Sequence, residues 1–158
     1  MANIKLKGNG YGQFGGFTPY GNLTVLAFAL ATTATGVAIG SNSETPLKIG
    51  DVVELGSLPA GMRLDDAQVL IATAMTATTT GKLGFVYADG ENDTDVPQDD
   101  AYFISGGSLA TAARLRATGT KQVVLPKTAT LILTLAGADN VKASDMKVNV
   151  FGELTGPK

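Results

Sequence analysis

Short apolar runs recur along the chain from residue 23 onward, separated by glycine, proline and small polar residues. Runs of this length between such breakers are typical of β-strands. The predicted strands are Leu23–Ala31, Thr35–Ile39, Ile49–Leu55, Leu64–Met75, Lys82–Ala88, Tyr102–Ile104, Lys121–Leu125, Thr130–Ala136 and Lys147–Leu154. Both faces of Leu64–Met75 are mostly apolar or small, as expected where one sheet covers another. The pattern predicts an all-β fold, a β-sandwich of about eight strands with jelly roll as the favoured topology.

One segment, Ser108–Arg116, departs from this rhythm. It begins with a serine, continues with alanines, and ends with Arg114 and Arg116. A capping serine at the start and basic residues in the last turn are typical of a helix. The sequence therefore predicts one short helix in a crossover between strands. Its arginines are interpreted either as a solvated helix end or as contacts to the carboxylates of a partner.

The first 22 residues differ in character from the rest. They hold six glycines, and their aromatic residues are Tyr11, Phe14, Phe17 and Tyr20. Repeated glycine opposes a helix because each one loses much backbone entropy on ordering, and large rings need a surface that covers them. We predict an extended arm over residues 1–22, whose four rings bind a partner, and a β-sandwich domain over residues 23–158. The alternative is that the arm folds back over its own domain.

Composition narrows the possible chemistry. The 158 residues include no cysteine, histidine or tryptophan, which excludes a disulfide framework, a thiolate nucleophile, a Ser-His-Asp triad and a conventional zinc site. The remaining groups form no catalytic constellation, so we predict no enzyme and no cofactor. With 12 basic and 14 acidic residues the net charge is -2. No basic run interleaved with aromatic residues is present, so we predict no nucleic-acid partner.

The uncharged stretch from Gly8 to Ser43 raises the question of a membrane segment. Its most apolar part, Leu23–Ala31, is far shorter than the roughly 20 residues that a spanning helix needs. Glycines between the basic start and this run are also unlike a signal peptide. We expect buried strands here and no membrane partner.

Two motifs resemble functional sites, a phosphate-binding glycine loop and a pair of catalytic carboxylates, but the residues around them do not fit those sites. Residues 10–15 match G-x-G-x-x-G, yet no strand precedes them and Gly16 and Pro19 oppose a following helix, so nucleotide binding is not expected. Asp65 and Asp66 are adjacent, and neighbours on a strand point to opposite faces. We therefore predict an ion pair with Arg63 rather than a pair of catalytic carboxylates.

An acidic loop is the remaining candidate site. Asp89, Glu91, Asp93 and Asp95 alternate along it, with Asp99 and Asp100 nearby. Alternating oxygen ligands suit a hard cation such as calcium, but glycine at the second position and the missing distal glutamate depart from the EF-hand pattern. A solvated polar loop is the favoured interpretation, and a calcium site is the weaker one.

Four segments together resemble one class of virion protein. Leu58–Met75 begins with Leu-Pro-Ala-Gly and leads into a long strand, and Thr78–Gly84 continues as a threonine-rich turn with a strand ending in Leu-Gly. Asp99–Ala113 and Lys127–Leu135 resemble the same proteins. The family is that of the cement (decoration) proteins, small jelly rolls on the outside of tailed-phage heads. The glycine-aromatic arm has no counterpart in this resemblance.

The resemblance implies a structural virion protein on the capsid exterior, made in the host cytoplasm. It would bind the major capsid protein and other copies of itself as a homo-oligomer, and bridge capsid subunits to stabilise the shell. Two alternatives remain open from the sequence. One is a tail or baseplate structural protein, and the other is a carbohydrate-binding β-sandwich for host adsorption.

Overall fold

A computed structural model describes residues 2–6 and 23–154. These residues form ten strands: β1 (Asn3–Lys5), β2 (Leu23–Thr32), β3 (Val52–Leu58), β4 (Met62–Thr73), β5 (Thr80–Tyr87), β6 (Asp99–Ser108), β7 (Ala113–Arg116), β8 (Val123–Val124), β9 (Ala129–Ala136) and β10 (Ser144–Leu154). The described part of the chain contains no helix.

The strands form two sheets that pack face to face. The first, called the β3 sheet, has the order β1-β3-β9-β5-β6, and the second, called the β2 sheet, has the order β2-β10-β4-β7 with β8 also paired to β4. Apart from the parallel pair β1–β3, the pairings are antiparallel. Setting β1 and β8 aside, the two four-stranded orders are those of a jelly roll, which confirms the predicted fold class.

Alternation along the strands places the core between the sheets. In β10, Met146, Val148 and Val150 are buried, whereas Asp145 and Lys147 point outward and are exposed. This period of two follows from the pleat, which turns successive side chains to opposite faces. β9 and β5 supply much of the opposite wall, through Leu131 and Leu133 on β9 and Leu83 and Phe85 on β5.

The predicted helix over Ser108–Arg116 is wrong. β6 continues to Ser108, and Ala113–Arg116 forms β7, which pairs with β4 so that Leu115 lies opposite Val69. A helix of this length is marginal in water by itself. Pairing with the exposed edge of β4 satisfies the same backbone groups, so tertiary context overrides the local helix preference.

The start of the chain contributes to the sandwich. β1 pairs with β3, and its Ile4 is only 1% exposed within the core. Asn3–Lys5 thus lies inside the range assigned to the arm and yet belongs to the β3 sheet. Residues 7–22, which include the four aromatic residues, lie outside the described residues, and their assignment to an arm stays a prediction.

One further strand prediction is wrong, and the predicted strand in the apolar run after residue 23 is confirmed. The predicted strand Thr35–Ile39 is reduced to single bridges, Thr32 to Ala38 and Val37 to Pro46. The apolar run after residue 23 is the strand β2, and the described residues contain no helix long and apolar enough to cross a membrane.

Candidate assembly surface

The outer face of the β2 sheet is apolar along one side. Leu23 and Val25 on β2 are 64% and 46% exposed, and Phe151 lies beside Val25 on β10 and is half-buried. The bridged pair Thr32 and Ala38 points into the core. Ile39, the next residue, therefore points outward, beside Ala31, whose carbonyl accepts its N–H at 2.8 Å. Leu23, Val25, Ile39 and Phe151 are called the β2 apolar face below.

The other side of the same outer face is charged. Arg63 on β4 donates to Asp65 at 2.8 Å and pairs with Glu153 on β10, also at 2.8 Å. The hydrogen bond to Asp65 is the main reason that the pKa of Arg63 is raised. Asp66 pairs with Arg116 of β7. The predicted ion pair of Arg63 is therefore confirmed.

The two aspartates do not alternate as the sequence analysis assumed. In the pairing of β4 with β10, Leu64 lies opposite Gly152 and Asp66 opposite Phe151, so Asp65 is the extra residue of a β-bulge. Both carboxylates consequently lie on the outer side, each with its own arginine. Because each is already ion-paired, the two do not form a shared acid–base pair.

Arg114 and Arg116 lie on a strand, not at a helix end. Both side chains are exposed, Arg114 reaching Gln68 at 3.4 Å and Arg116 pairing with Asp66. They continue the charged side of the outer face to the edge of the sheet. The outer side of β2 thus carries no charge, whereas β10 carries Phe151 together with the charged Asp145, Lys147 and Glu153.

The acidic loop connects the end of β5 to the start of β6. Asp89 pairs with Lys127 at 2.8 Å and accepts the N–H of Glu91, while Asp93 accepts the N–H groups of Asp95 and Val96. Among residues 2–6 and 23–154 no three acidic side chains are grouped as ligands for a metal ion. The polar loop is as predicted, and calcium binding by Asp89, Glu91, Asp93 and Asp95 stays an untested prediction.

The ion pair of Asp89 predicts a pH dependence. Its hydrogen bond with Lys127 lowers the pKa of Asp89 below its ordinary value of 3.8. A carboxylate with a lowered folded-state pKa stabilises the fold fully above its unfolded pKa, and this contribution is lost as the pH falls through the folded value. We expect Lys127→Met to return the pKa of Asp89 toward 3.8, measured by NMR titration of the carboxyl carbon. Lys121→Met is the control, and an Asp89 titration unchanged by Lys127→Met contradicts the assignment.

A buried polar network holds one end of the sandwich together. Asn140 is fully buried, and its amide nitrogen donates to Thr32 and to the carbonyl of Lys142, each at 3.0 Å. Its side-chain oxygen accepts the backbone N–H and the hydroxyl of Thr76. These bonds tie the loop that carries Val141, which is 61% exposed, to the end of β2 and to the turn after β4.

The site residues named from sequence fall into three groups. The acidic loop residues and the Arg63 cluster are described above, whereas Tyr11, Phe14, Phe17 and Tyr20 and the glycine motif at 10–15 lie outside the described residues. Sequence reasoning did not single out the β2 apolar face or Asn140. The sequence predicts a strand over Leu23–Ala31, but which of its side chains stay exposed depends on the position of that strand in the sheet.

Comparison with known proteins gives a fold but no sequence family. No protein-family model matches the sequence, and no curated protein matches it. A chain of the solved capsid of Ralstonia phage GP4 matches with a TM-score of 0.62 at 15% identity, over 99% of this chain and 100% of that chain. A chain of the cyanophage Pam1 capsid asymmetric unit matches with a TM-score of 0.58 at 16% identity, over 89% and 90%.

A third match comes from the acidic stable capsid structure of Helicobacter pylori bacteriophage KHP30, with a TM-score of 0.50 at 14% identity. It covers 85% of this chain and 94% of that one. The chain therefore has a fold that occurs, almost end to end, in chains of solved phage capsids.

Proposed function

We propose that this chain is a structural protein of a phage head, bound to the outside of the capsid, where it bridges neighbouring capsid subunits and stabilises the shell. The observation that carries the proposal is the whole-length match to a chain of the GP4 capsid, in which 99% of one chain and 100% of the other are covered. A match of that extent involves the complete jelly roll rather than one motif. The resemblance of four sequence segments to cement proteins supports the same role.

The chemistry of the described surface suits assembly better than catalysis. The carboxylates of Asp65, Asp66 and Asp89 are held by arginine or lysine partners, and Asp93 caps backbone N–H groups. A general acid or base needs a group that is free to exchange its proton with a substrate. Leu23, Val25 and Ile39 instead leave apolar area uncovered, and such area on a soluble domain commonly marks an interaction site.

The proposed bridging function includes a contact made by the segment before β2. Tyr11, Phe14, Phe17 and Tyr20 would contact a neighbouring subunit, either the major capsid protein or a sister copy in a homo-oligomer. Ordering such a segment costs conformational entropy, but it adds contact surface that the compact body lacks. Because many copies act on one shell, modest affinity per copy gives a large gain in shell stability.

Particles with and without the protein test this function. We expect heads that lack it to release their genome at a lower temperature, and purified protein added back to restore the wild-type release temperature. Cryo-electron microscopy of the same particles should show the added density on the outside of the head. Equal heat resistance with and without the protein contradicts the proposal. Density on the tail or baseplate, or binding to a host glycan instead of the head, would favour the alternative roles.

A further inference from the structure

Asp51 differs from the other charged residues that the structure describes. It lies directly before β3, and at 4% exposure it is the one acidic or basic residue buried among residues 2–6 and 23–154. No lysine or arginine in this part of the chain forms an ion pair with it. Acidic residues are almost never fully buried without a partner, because a carboxylate loses its hydration there. The buried charge of Asp51 therefore favours a cation beside it.

The two carboxylate oxygens of Asp51 each accept a backbone N–H. Oδ1 accepts the N–H of Ala2 and Oδ2 accepts the N–H of Lys48, both at 2.9 Å. The bond to Lys48 belongs to a local turn, in which the N–H of Asp51 also donates to the carbonyl of Lys48. The bond to Ala2 instead spans 49 positions and attaches the residue before β1 to the β3 sheet. The nitrogen of Ala2 is thus already in contact with the buried carboxylate.

That nitrogen can become a cation by one hydrolytic step. In a chain whose synthesis starts at Met1, alanine is the second residue, and cellular methionine aminopeptidases remove the initiator methionine when the second side chain is small. Water adds across the bond between Met1 and Ala2, so that methionine leaves as the free amino acid and the nitrogen of Ala2 becomes a primary amine. An α-amino group takes up a proton and is largely charged at neutral pH.

We propose that methionine is removed and that the resulting α-ammonium group of Ala2 forms an ion pair with the carboxylate of Asp51. The two atoms are already 2.9 Å apart, so the pair forms without any movement of β1. A hydrogen bond between charged groups is roughly twice as strong as a neutral one. Processing at this position therefore strengthens a contact that the fold has already made.

The ion pair holds β1 in the sandwich. The carbonyl of Ala2 accepts the N–H of Val52 at 3.1 Å, and two residues further on the side chain of Ile4 lies in the core. β1 has only three residues, and short segments near a terminus open readily unless they are tied down. The inference goes beyond the proposed function, because the ion pair forms or fails to form whether or not the chain binds a capsid.

The intact mass of the untagged protein, made in bacterial cells from Met1, tests the processing step. We expect the wild-type mass to lack one methionine residue. Because the side chain of Ala2 is exposed, it can be changed without disturbing the core. Ala2→Ser should also lose the methionine, whereas Ala2→Gln should keep it, because the aminopeptidase does not accept a large second side chain. A wild-type chain that keeps Met1 overturns the proposal.

A double-mutant cycle tests the ion pair itself. Asp51→Asn is introduced into the Ala2→Ser chain, which has an ammonium group at this nitrogen, and into the Ala2→Gln chain, which has an amide there. We expect Asp51→Asn to lower the folding equilibrium constant about tenfold more in the Ala2→Ser chain, measured by chemical denaturation. The altered contact with Lys48 is common to both chains and cancels. Equal losses in the two chains overturn the proposal even where methionine is removed.

Hydrogen exchange gives a second readout that leaves Asp51 unchanged. The N–H of Leu6 donates to the carbonyl of Glu54 at 3.3 Å, so its exchange reports whether the segment that begins with β1 stays on β3. We expect this N–H to exchange about tenfold more slowly in the Ala2→Ser chain than in the Ala2→Gln chain. The N–H of Leu125, which donates to the carbonyl of Met62 in the other sheet, is the control and should exchange equally in both. Equal exchange at Leu6 contradicts the proposed ion pair.

Discussion

Replacing Asn140 with alanine is expected to lower the free energy of unfolding by about 3 kcal/mol, although the residue lies in a loop and no strand contains it. The change leaves the backbone N–H and the hydroxyl of Thr76 without their acceptor, and each donor left unsatisfied in a buried site costs about 1–3 kcal/mol. It also removes the donor to Thr32, whose hydroxyl accepts the N–H of Ser144.

The position of Asn140 explains why the effect extends beyond one loop. Its backbone N–H donates to the carbonyl oxygen of Leu47. Its own carbonyl oxygen packs so closely on Gly36 that a Cβ added there would lie 1.8 Å from it. Gly36 also has a φ of +85°, which side chains other than glycine rarely adopt. The loop before β3, the turn after β4 and the loop before β10 therefore all contact Asn140, through its backbone or its side chain.

Chemical denaturation of Asn140→Ala against wild type measures the change, and for a domain of this size about 3 kcal/mol corresponds to a fall in Tm of roughly 6–12 °C. Asn149→Ala is the matched control, because Asn149 lies on the outer face of β10 and is partly exposed. We expect the control to stay within about 0.5 kcal/mol of wild type. An equal loss in both variants would show that the Asn140 network does not stabilise the fold.

The strands could be predicted from sequence wherever one face is buried along several residues. The run Leu64–Met75 predicted β4 to within two residues at each end, because Leu64, Val69 and Ile71 all face the core. β1 could not be found in the same way. Its three residues contain one apolar side chain, Ile4, and only the pairing with β3 makes that position a core position.

Two features of the candidate surface depend on partners distant in sequence. The bulge at Asp65 is defined by the register between β4 and β10. The strand Ala113–Arg116 forms because it pairs with the edge of β4 that β10 leaves free. Local preference favoured alternation in the first case and a helix in the second. In both, hydrogen bonding across the sheet decides the result, and a single sequence does not contain that register.

Asn140 was beyond sequence reasoning for a different reason. An asparagine after Gly137 and Asp139 is what a turn ordinarily contains, and turn asparagines are mostly exposed. Its burial results from Thr32 and Thr76, which come from two distant parts of the chain and bind the same amide as the nearby carbonyl of Lys142. Thr76 lies in the turn between β4 and β5, and its hydroxyl donates to the side-chain oxygen of Asn140.

The glycine that ends the Leu-Gly motif supplies the second large effect. A Cβ on Gly84 would lie 2.1 Å from the carbonyl oxygen of Asp99 and 2.4 Å from the carbonyl carbon of Asp100. Both are backbone atoms, so the start of β6 itself would have to move. That segment leads to Tyr102, whose ring packs against Phe85 with centroids 5.4 Å apart.

We expect Gly84→Ala to lower the free energy of unfolding by roughly 3 kcal/mol, the upper part of the range for an overpacked core. Gly81→Ala on the same strand is the matched control: its Cβ would meet only the methyl ends of Leu109 and Leu133, at 2.8 and 2.9 Å, and leucine side chains can rotate away. The control should cost about 1 kcal/mol. Denaturation of the two variants side by side measures the difference, since the chemical change is the same and only the atoms it meets differ. If Gly84→Ala is no more costly than Gly81→Ala, the close approach of β6 to β5 does not constrain this position, and the Leu-Gly motif needs another physical reason.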